Sequence, residues 1–277
     1  MMNKRVKIVA SAMSLALLLG CCYAGINVFA NENTEVDVSV CKPQAKGEMS
    51  VEHMKEHLEA HGYSESDMAL LYVCSQIEEM QKVEGSEEKK KFSDKEVKSI
   101  VGEFDDQASA VADDESTGTV SDLAAMALEV WNSLTADEKT LVVTHPVKAL
   151  AVNATSNKAT ELAIVAFGVN GLGDKSDGFR HAIWNCLMTR EIGKDFAEKF
   201  ANAHESGKSE EDLKEVAADG FEESLHLEMD LHNNEVGRSI IGDGEPIETY
   251  DDKYIFYRVM EKMTNNKVAG EIYWLHD

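Results

Sequence analysis

The stretch Asp177-Gly178-Phe179-Arg180-His181-Ala182-Ile183-Trp184-Asn185 decides how this chain is read. At helical spacing Asp177, His181 and Asn185 stand at i, i+4 and i+8 and share one face. Phe179, Ile183, Trp184 and Leu187 surround that face with apolar surface. Polar groups in such a setting cost free energy unless they are satisfied, so the stretch reads as a helix carrying a polar stripe through apolar surroundings. A histidine between two such partners has its tautomer fixed by one and offers its other nitrogen to a metal or a substrate. The structural alternative makes Asp177 a helix cap and His181 a core histidine bonded to a neighbouring helix.

Two later stretches answer the first. His204-Glu205 closes a segment with Phe196, Ala197, Phe200, Ala201 and Ala203 at helical spacing, which puts His204 on its buried face. Met229-Asp230-Leu231-His232-Asn233-Asn234 runs on to Gly237-Arg238, with Asp230, Asn234 and Arg238 on one stripe. Arg238 is expected to pair with Asp230 or another carboxylate. His226 lies among Glu222, Glu223 and Glu228 and reads as exposed, and His232 faces away from Asp230. Together the three stretches nominate Asp177, Arg180, His181, Asn185, His204, Glu205, Asp230 and Asn234 as site residues. Among them, His181, His204 and Asp230 are candidate ligands of a divalent metal. No His-Glu-x-x-His helix, Gly-x-Ser-x-Gly elbow or Cys-x-x-Cys pair accompanies them.

Outward from these stretches the pattern is helical, and the predicted fold class is mainly α. Apolar residues at Leu123, Met126, Ala127, Val130, Trp131 and Leu134 form a helical stripe. Thr135-Ala136-Asp137-Glu138 is a capping box, and Pro146 marks the start of a further helix. The glycine-rich turn at 168–173 lacks a following Gly-Lys-Ser/Thr and is no phosphate loop. A helix over 212–241, interrupted at Gly220, another over 251–265, and a short strand at 271–275 complete the C-terminal part. Upstream, residues 49–62 read as a helix presenting His53, His57 and His61, followed by a helix over 64–83 and one opened by Ser93. The acidic, non-periodic stretch 112–119 is the best boundary. It separates a helical region at 48–112 from a domain at 121–241, with a helix and tail at 242–277.

Composition narrows the function. The chain has 277 residues, 43% of them apolar, and a formal net charge of −24. Such a surface repels phosphate backbones, so nucleic-acid binding through a basic patch is disfavoured. Residues 1–30 have the form of an export signal: Lys4, Arg5 and Lys7, an apolar run from Ile8 to Gly20, and the small residues Val28 and Ala30 before a cleavage point. Rival readings are a lipobox-like Leu18-Leu19-Gly20-Cys21 and an uncleaved anchor. Residues 31–47 form a polar leader. After cleavage Cys41, Cys74 and Cys186 remain, with Cys41–Cys74 the sensible bridge and Cys186 a buried hydrophobe. The mature protein is expected outside the cytoplasm and without stable membrane insertion.

Arg180-His181-Ala182-x-Trp184-Asn185, Ala203-His204-Glu205 and the run from Met229 to Arg238 together resemble the signature of an uncharacterised bacterial domain family. Leu134-Thr135-x-x-Glu138-Lys139-x-Leu141 and His145-Pro146 resemble its entry. That family occurs in exported proteins and at the ends of larger, toxin-like surface proteins, and the resemblance covers about 121–241. It implies a helical fold and a candidate site, without a reaction. Two function classes follow. One is a hydrolase, metal-dependent or histidine-based, acting on an envelope or extracellular substrate. The other is a binding module in which the same residues form a buried polar network that fixes helix register.

Overall fold

A computed structural model describes residues 65–83, 89–112, 122–242, 250–263 and 271–277. Among them the chain is mainly helical, with nine α-helices and no strand: α1 (Glu65–Gln81), α2 (Asp94–Ala112), α3 (Asp122–Ser133), α4 (Ala136–Thr144), α5 (Pro146–Phe167), α6 (Lys175–Ile192), α7 (Lys194–His204), α8 (Glu223–Ser239) and α9 (Asp252–Glu261). The expected signal at 1–30, the leader, the His53/His57/His61 helix and the boundary at 112–119 lie outside the described residues, apart from Ala112 at the end of α2. No helix among the described residues is long and apolar enough to cross a membrane.

Helix α6 is the axis of the fold. Almost every side chain from Ser176 to Arg190 is buried, because α5, α7, α8 and α9 all pack on it. A helix enclosed on all sides has no solvated face for its polar residues, so Asp177, His181, Asn185 and Thr189 must find partners inside. The helix is opened by Asp174, not by Asp177: the Asp174 carboxylate accepts from the amides of Ser176 and Asp177. Asp177 is thereby left for other work. Upstream, the Thr135–Glu138 capping box forms as read, and Pro146 stands at the first position of α5. Gly168, at φ 75°, ends α5 in the left-handed conformation that glycine adopts without strain.

The helices before 112 and those after 122 share one apolar core. Trp131 of α3 donates to Asp105 of α2 at 2.8 Å and lies against Phe104 with ring centroids 4.9 Å apart. Asn153 of α5 donates to Asp67 of α1 at 2.6 Å. Cys74 is a free, buried thiol whose Sγ faces the Pro146 carbonyl at 3.4 Å. Cys41, the other half of the expected Cys41–Cys74 bridge, lies outside the described residues. Cys186 is likewise free and fully buried, in keeping with its reading as a small hydrophobe.

The C-terminal part departs from expectation in two places. The helix expected over 212–241 is a single 3-10 turn (Asp212–Lys214), a loop that turns at Gly220 (φ 92°), and then α8. The strand expected at 271–275 is not formed: the segment is irregular, held by the Lys262 and Gly173 carbonyls and by a side chain of α8. Asn233 of α8 accepts from the Tyr273 amide at 3.0 Å and donates to the Tyr273 carbonyl at 2.9 Å. One carboxamide thus replaces the ladder partner.

Candidate metal centre

Asp177 sits in the first turn of α6, where its Oδ2 accepts from the Gly173 amide at 2.7 Å. Its Oδ1 takes the guanidinium of Arg180, one turn on. His181 follows at i+4, and its Nε2 lies 3.6 Å from Asp177 Oδ1 and 3.3 Å from Asp230 Oδ1 of α8. On the other side of the ring, Nδ1 is 3.3 Å from Asn234 Oδ1 and 3.8 Å from Glu205 Oε1, just past the end of α7. Two helices, α6 and α8, and the residue after α7 thus bring three carboxylates, Asp177, Asp230 and Glu205, to one imidazole.

The tautomer of that imidazole follows from a chain of donors. Arg238 donates to Asn185 Oδ1 at 2.7 Å. This turns the Asn185 amide nitrogen toward Asn234 Oδ1 at 2.5 Å and toward the His181 carbonyl at 3.1 Å. Asn234 Oδ1 is therefore an acceptor, and His181 Nδ1 must carry the proton facing it. The Nε2 lone pair is then left facing Asp177 and Asp230. Arg238 holds Asn185, and among the described residues no carboxylate forms an ion pair with it, Glu198 and Glu235 acting on it only at longer range.

The electrostatics are unbalanced. Asp177, Glu205 and Asp230 are three carboxylates, and Arg180 is the one cation among the cluster's side chains. Burial pushes Asp230 up to about 8, and the nearby charges of Glu205 and Asp177 act in the same direction. Burial likewise raises Glu205 above the usual carboxylate range, against the pull of His204. Burial drives His181 well below the usual imidazole range, helped by Arg180 and His204, so it is neutral near pH 7. Asp230 Oδ1, Glu205 Oε1, Asn234 Nδ2 and Arg180 Nε are buried without a hydrogen-bond partner. Buried polar atoms are rarely left so. Asp177, His181 and Asp230 each present a ligand atom within 4.8 Å of the others, close enough for one ion.

Of the eight nominated site residues, seven meet here. His204 does not: it is exposed, with Nδ1 3.0 Å from Glu138 Oε1 and its ring edge-on to Trp184 at 5.3 Å. The α7 face that reads as apolar ends at Ala203, and the chain turns so that His204 points out while Glu205 points in. His226, read as exposed, is buried and contacts Asp219 at 3.1 Å. His232, facing away from Asp230 as read, meets the Glu271 carbonyl at 2.7 Å. Sequence reasoning missed the Asp219, His226 and His276 group: Asp219 also lies 3.2 Å from His276 Nε2. It also missed Gly173, where a β-carbon would lie 2.4 Å from Asp219 Oδ2. Three residues from three chain segments leave no spacing to read.

The family model described as a domain of unknown function (DUF6973) matches residues 139–267, a span that contains every residue of this cluster. No curated protein and no solved structure matches the chain.

Proposed function

We propose that Asp177, His181 and Asp230 bind one divalent transition-metal ion beside Glu205, and that the domain is a metal-dependent hydrolase. The observation that carries this is the buried, unpaired state of Asp230 Oδ1 and Glu205 Oε1 around a neutral imidazole whose Nε2 lone pair faces two carboxylates. A divalent cation offsets the excess of negative charge that protonation of Asp230 otherwise relieves. The mixed nitrogen and oxygen donor set suits zinc or manganese.

Bound there, the ion would lower the pKa of a water ligand and so supply a nucleophile at neutral pH. The remaining steps belong to the chain. Glu205, raised by burial and facing the cluster, is placed to accept the proton from the attacking water. Arg180, whose side chain is a quarter exposed, stands at the rim, where a developing negative charge on the substrate would be stabilised. The Arg238–Asn185–Asn234 chain holds the imidazole in its ligating tautomer. The same chain also serves as the register-fixing network of the alternative reading, because each of its bonds joins α6 to α8. Apart from Asn234 Nδ2 its atoms have partners, whereas Asp230 Oδ1 and Glu205 Oε1 in the carboxylate half have none.

The basic and apolar residues of 1–30 support action outside the cytoplasm, on an envelope or extracellular substrate, by a mature chain beginning at Asn31. N-terminal sequencing of the protein recovered from the culture medium tests the export step. The hydrolase reading is tested by assaying chelator-stripped, zinc-reloaded and manganese-reloaded protein on a panel of ester, amide and phosphoester substrates. Turnover that needs the metal and falls at least a hundredfold in Glu205→Gln, with metal retained, supports it. Absence of metal-dependent turnover on all three classes counts against it.

A further inference from the structure

A cavity of about 180 Å³ opens between α1, α4, α5 and α7, with Trp184 in its wall and none of Asp177, His181, Glu205 and Asp230 in its lining. Leu134, Val142, Val152, Trp184 and Phe200 give it apolar walls, and Glu138, Asn153, Ser156 and His204 supply the polar part of its lining. Val142, Trp184 and Phe200 are buried, while Ser133 and His204 are exposed and mark the mouth. An apolar cavity of about 150 Å³ accommodates a benzene molecule, so this one has the size of a single six-membered ring with a small substituent.

The polar lining is not spread evenly in what it still offers. The Asn153 amide nitrogen is occupied by Asp67, and Glu138 is occupied through both oxygens, by His204 and by the Thr135 amide. Glu138 holds His204 by Nδ1, which leaves Nε2 as the hydrogen-bonding atom of that ring. The lining therefore pairs a ring-sized apolar body with a few polar atoms, the His204 ring at its mouth among them, the composition of a small-molecule site.

We propose that this cavity is a binding site, separate from the metal cluster, for a single-ring aromatic molecule bearing one hydroxyl, bonded through that hydroxyl to His204. Phenol is the probe, benzene the control without the polar group, and chelator-stripped protein the sample, so the outcome does not depend on whether the metal cluster is occupied. Phenol should bind saturably and more tightly than benzene, with nuclear Overhauser contacts from its ring protons to the Val142 and Val152 methyls. His204→Leu should weaken phenol about fivefold, the worth of one hydrogen bond, and leave benzene unchanged. Val152→Phe, which fills the cavity, should abolish both. If that variant does not fold, the Overhauser contacts in the wild type locate the ring by themselves. No saturable binding, ring contacts elsewhere, or equal affinity for phenol and benzene would overturn the proposal.

Discussion

Gly237 of α8 lies against Ala182 of α6 so closely that a β-carbon on it would sit 2.1 Å from the Ala182 carbonyl oxygen. The obstacle is backbone in the middle of a buried helix, which has nowhere to move. This contact sets the distance between α6 and α8, and with it the gap across which His181 meets Asp230 and Asn234. Gly237→Ala should therefore destabilise by about 3 kcal/mol or more, at the upper end of overpacking effects. Gly102→Ala is the matched control: nothing lies within 4 Å of its added carbon, and it sits inside α2. It should be neutral or stabilising by up to about 1 kcal/mol through helix propensity. Denaturant unfolding of both variants measures the difference.

Asp230→Asn should stabilise the metal-free protein at neutral pH while removing a ligand. The folded pKa of Asp230 is raised from 3.8 to about 8, so the fold prefers its neutral form. That preference is without penalty below the unfolded value and becomes a growing penalty as pH rises from about 4 to about 8. Asparagine carries no charge to bury. In chelator, the variant should gain roughly 1–3 kcal/mol over wild type at pH 8 and nothing at pH 4. Equal melting temperatures at both pH values would show that the carboxylate is not under strain.

The pair of His204 and Glu138 has the opposite sign for each member. The Glu138 hydrogen bond raises His204 above 6.5, so its contribution is complete below that value and fades as pH rises through the folded pKa. Glu138 is lowered despite its burial, by His204 and by the Thr135 groups, so its contribution is complete above 4.5 and fades in acid. Both are present between about pH 4.5 and 6.5. The stability difference between wild type and Glu138→Gln should be largest there and shrink from pH 7 to 9. A difference flat across that range would contradict the pairing.

Asp219 ties the C-terminal segment to the body, standing between His226 of α8 and His276. Asp219→Ala should cost about 1–3 kcal/mol by leaving the buried His226 unpaired. It should also raise amide exchange at Leu275 and His276, which donate to the Gly173 carbonyl at 2.7 and 3.3 Å. Unchanged exchange there would mean that the segment is held without Asp219, by contacts such as those of Asn233 with Tyr273 and of His232 with Glu271.

What the sequence made legible follows from range. The polar stripe Asp177, His181 and Asn185 repeats at the helical period, and so does Asp230, Asn234 and Arg238, so both faces of the cluster were readable. That the two faces meet was inferable only from their common oddity. Arg238 reads as the partner of a carboxylate because arginine usually takes one, and the structure gives it Asn185. Periodicity puts His204 on the buried face, but it is the last residue of α7, where the helical phase no longer governs direction. Asp219, His226 and His276 carry no shared spacing, and the pairing of Asn233 with Tyr273 imitates a strand ladder that no β-pattern would reveal.

The most direct measurement of the central claim is the metal content of the mature protein purified without chelator, followed by zinc titration after stripping. One ion per chain is expected, lost in Asp177→Ala and in His181→Ala and retained in His204→Ala, whose ring is bonded to Glu138 and is not among the ligand atoms. A wild-type chain that carries no metal and takes up none, or one whose metal survives loss of His181 but not of His204, would contradict the assignment.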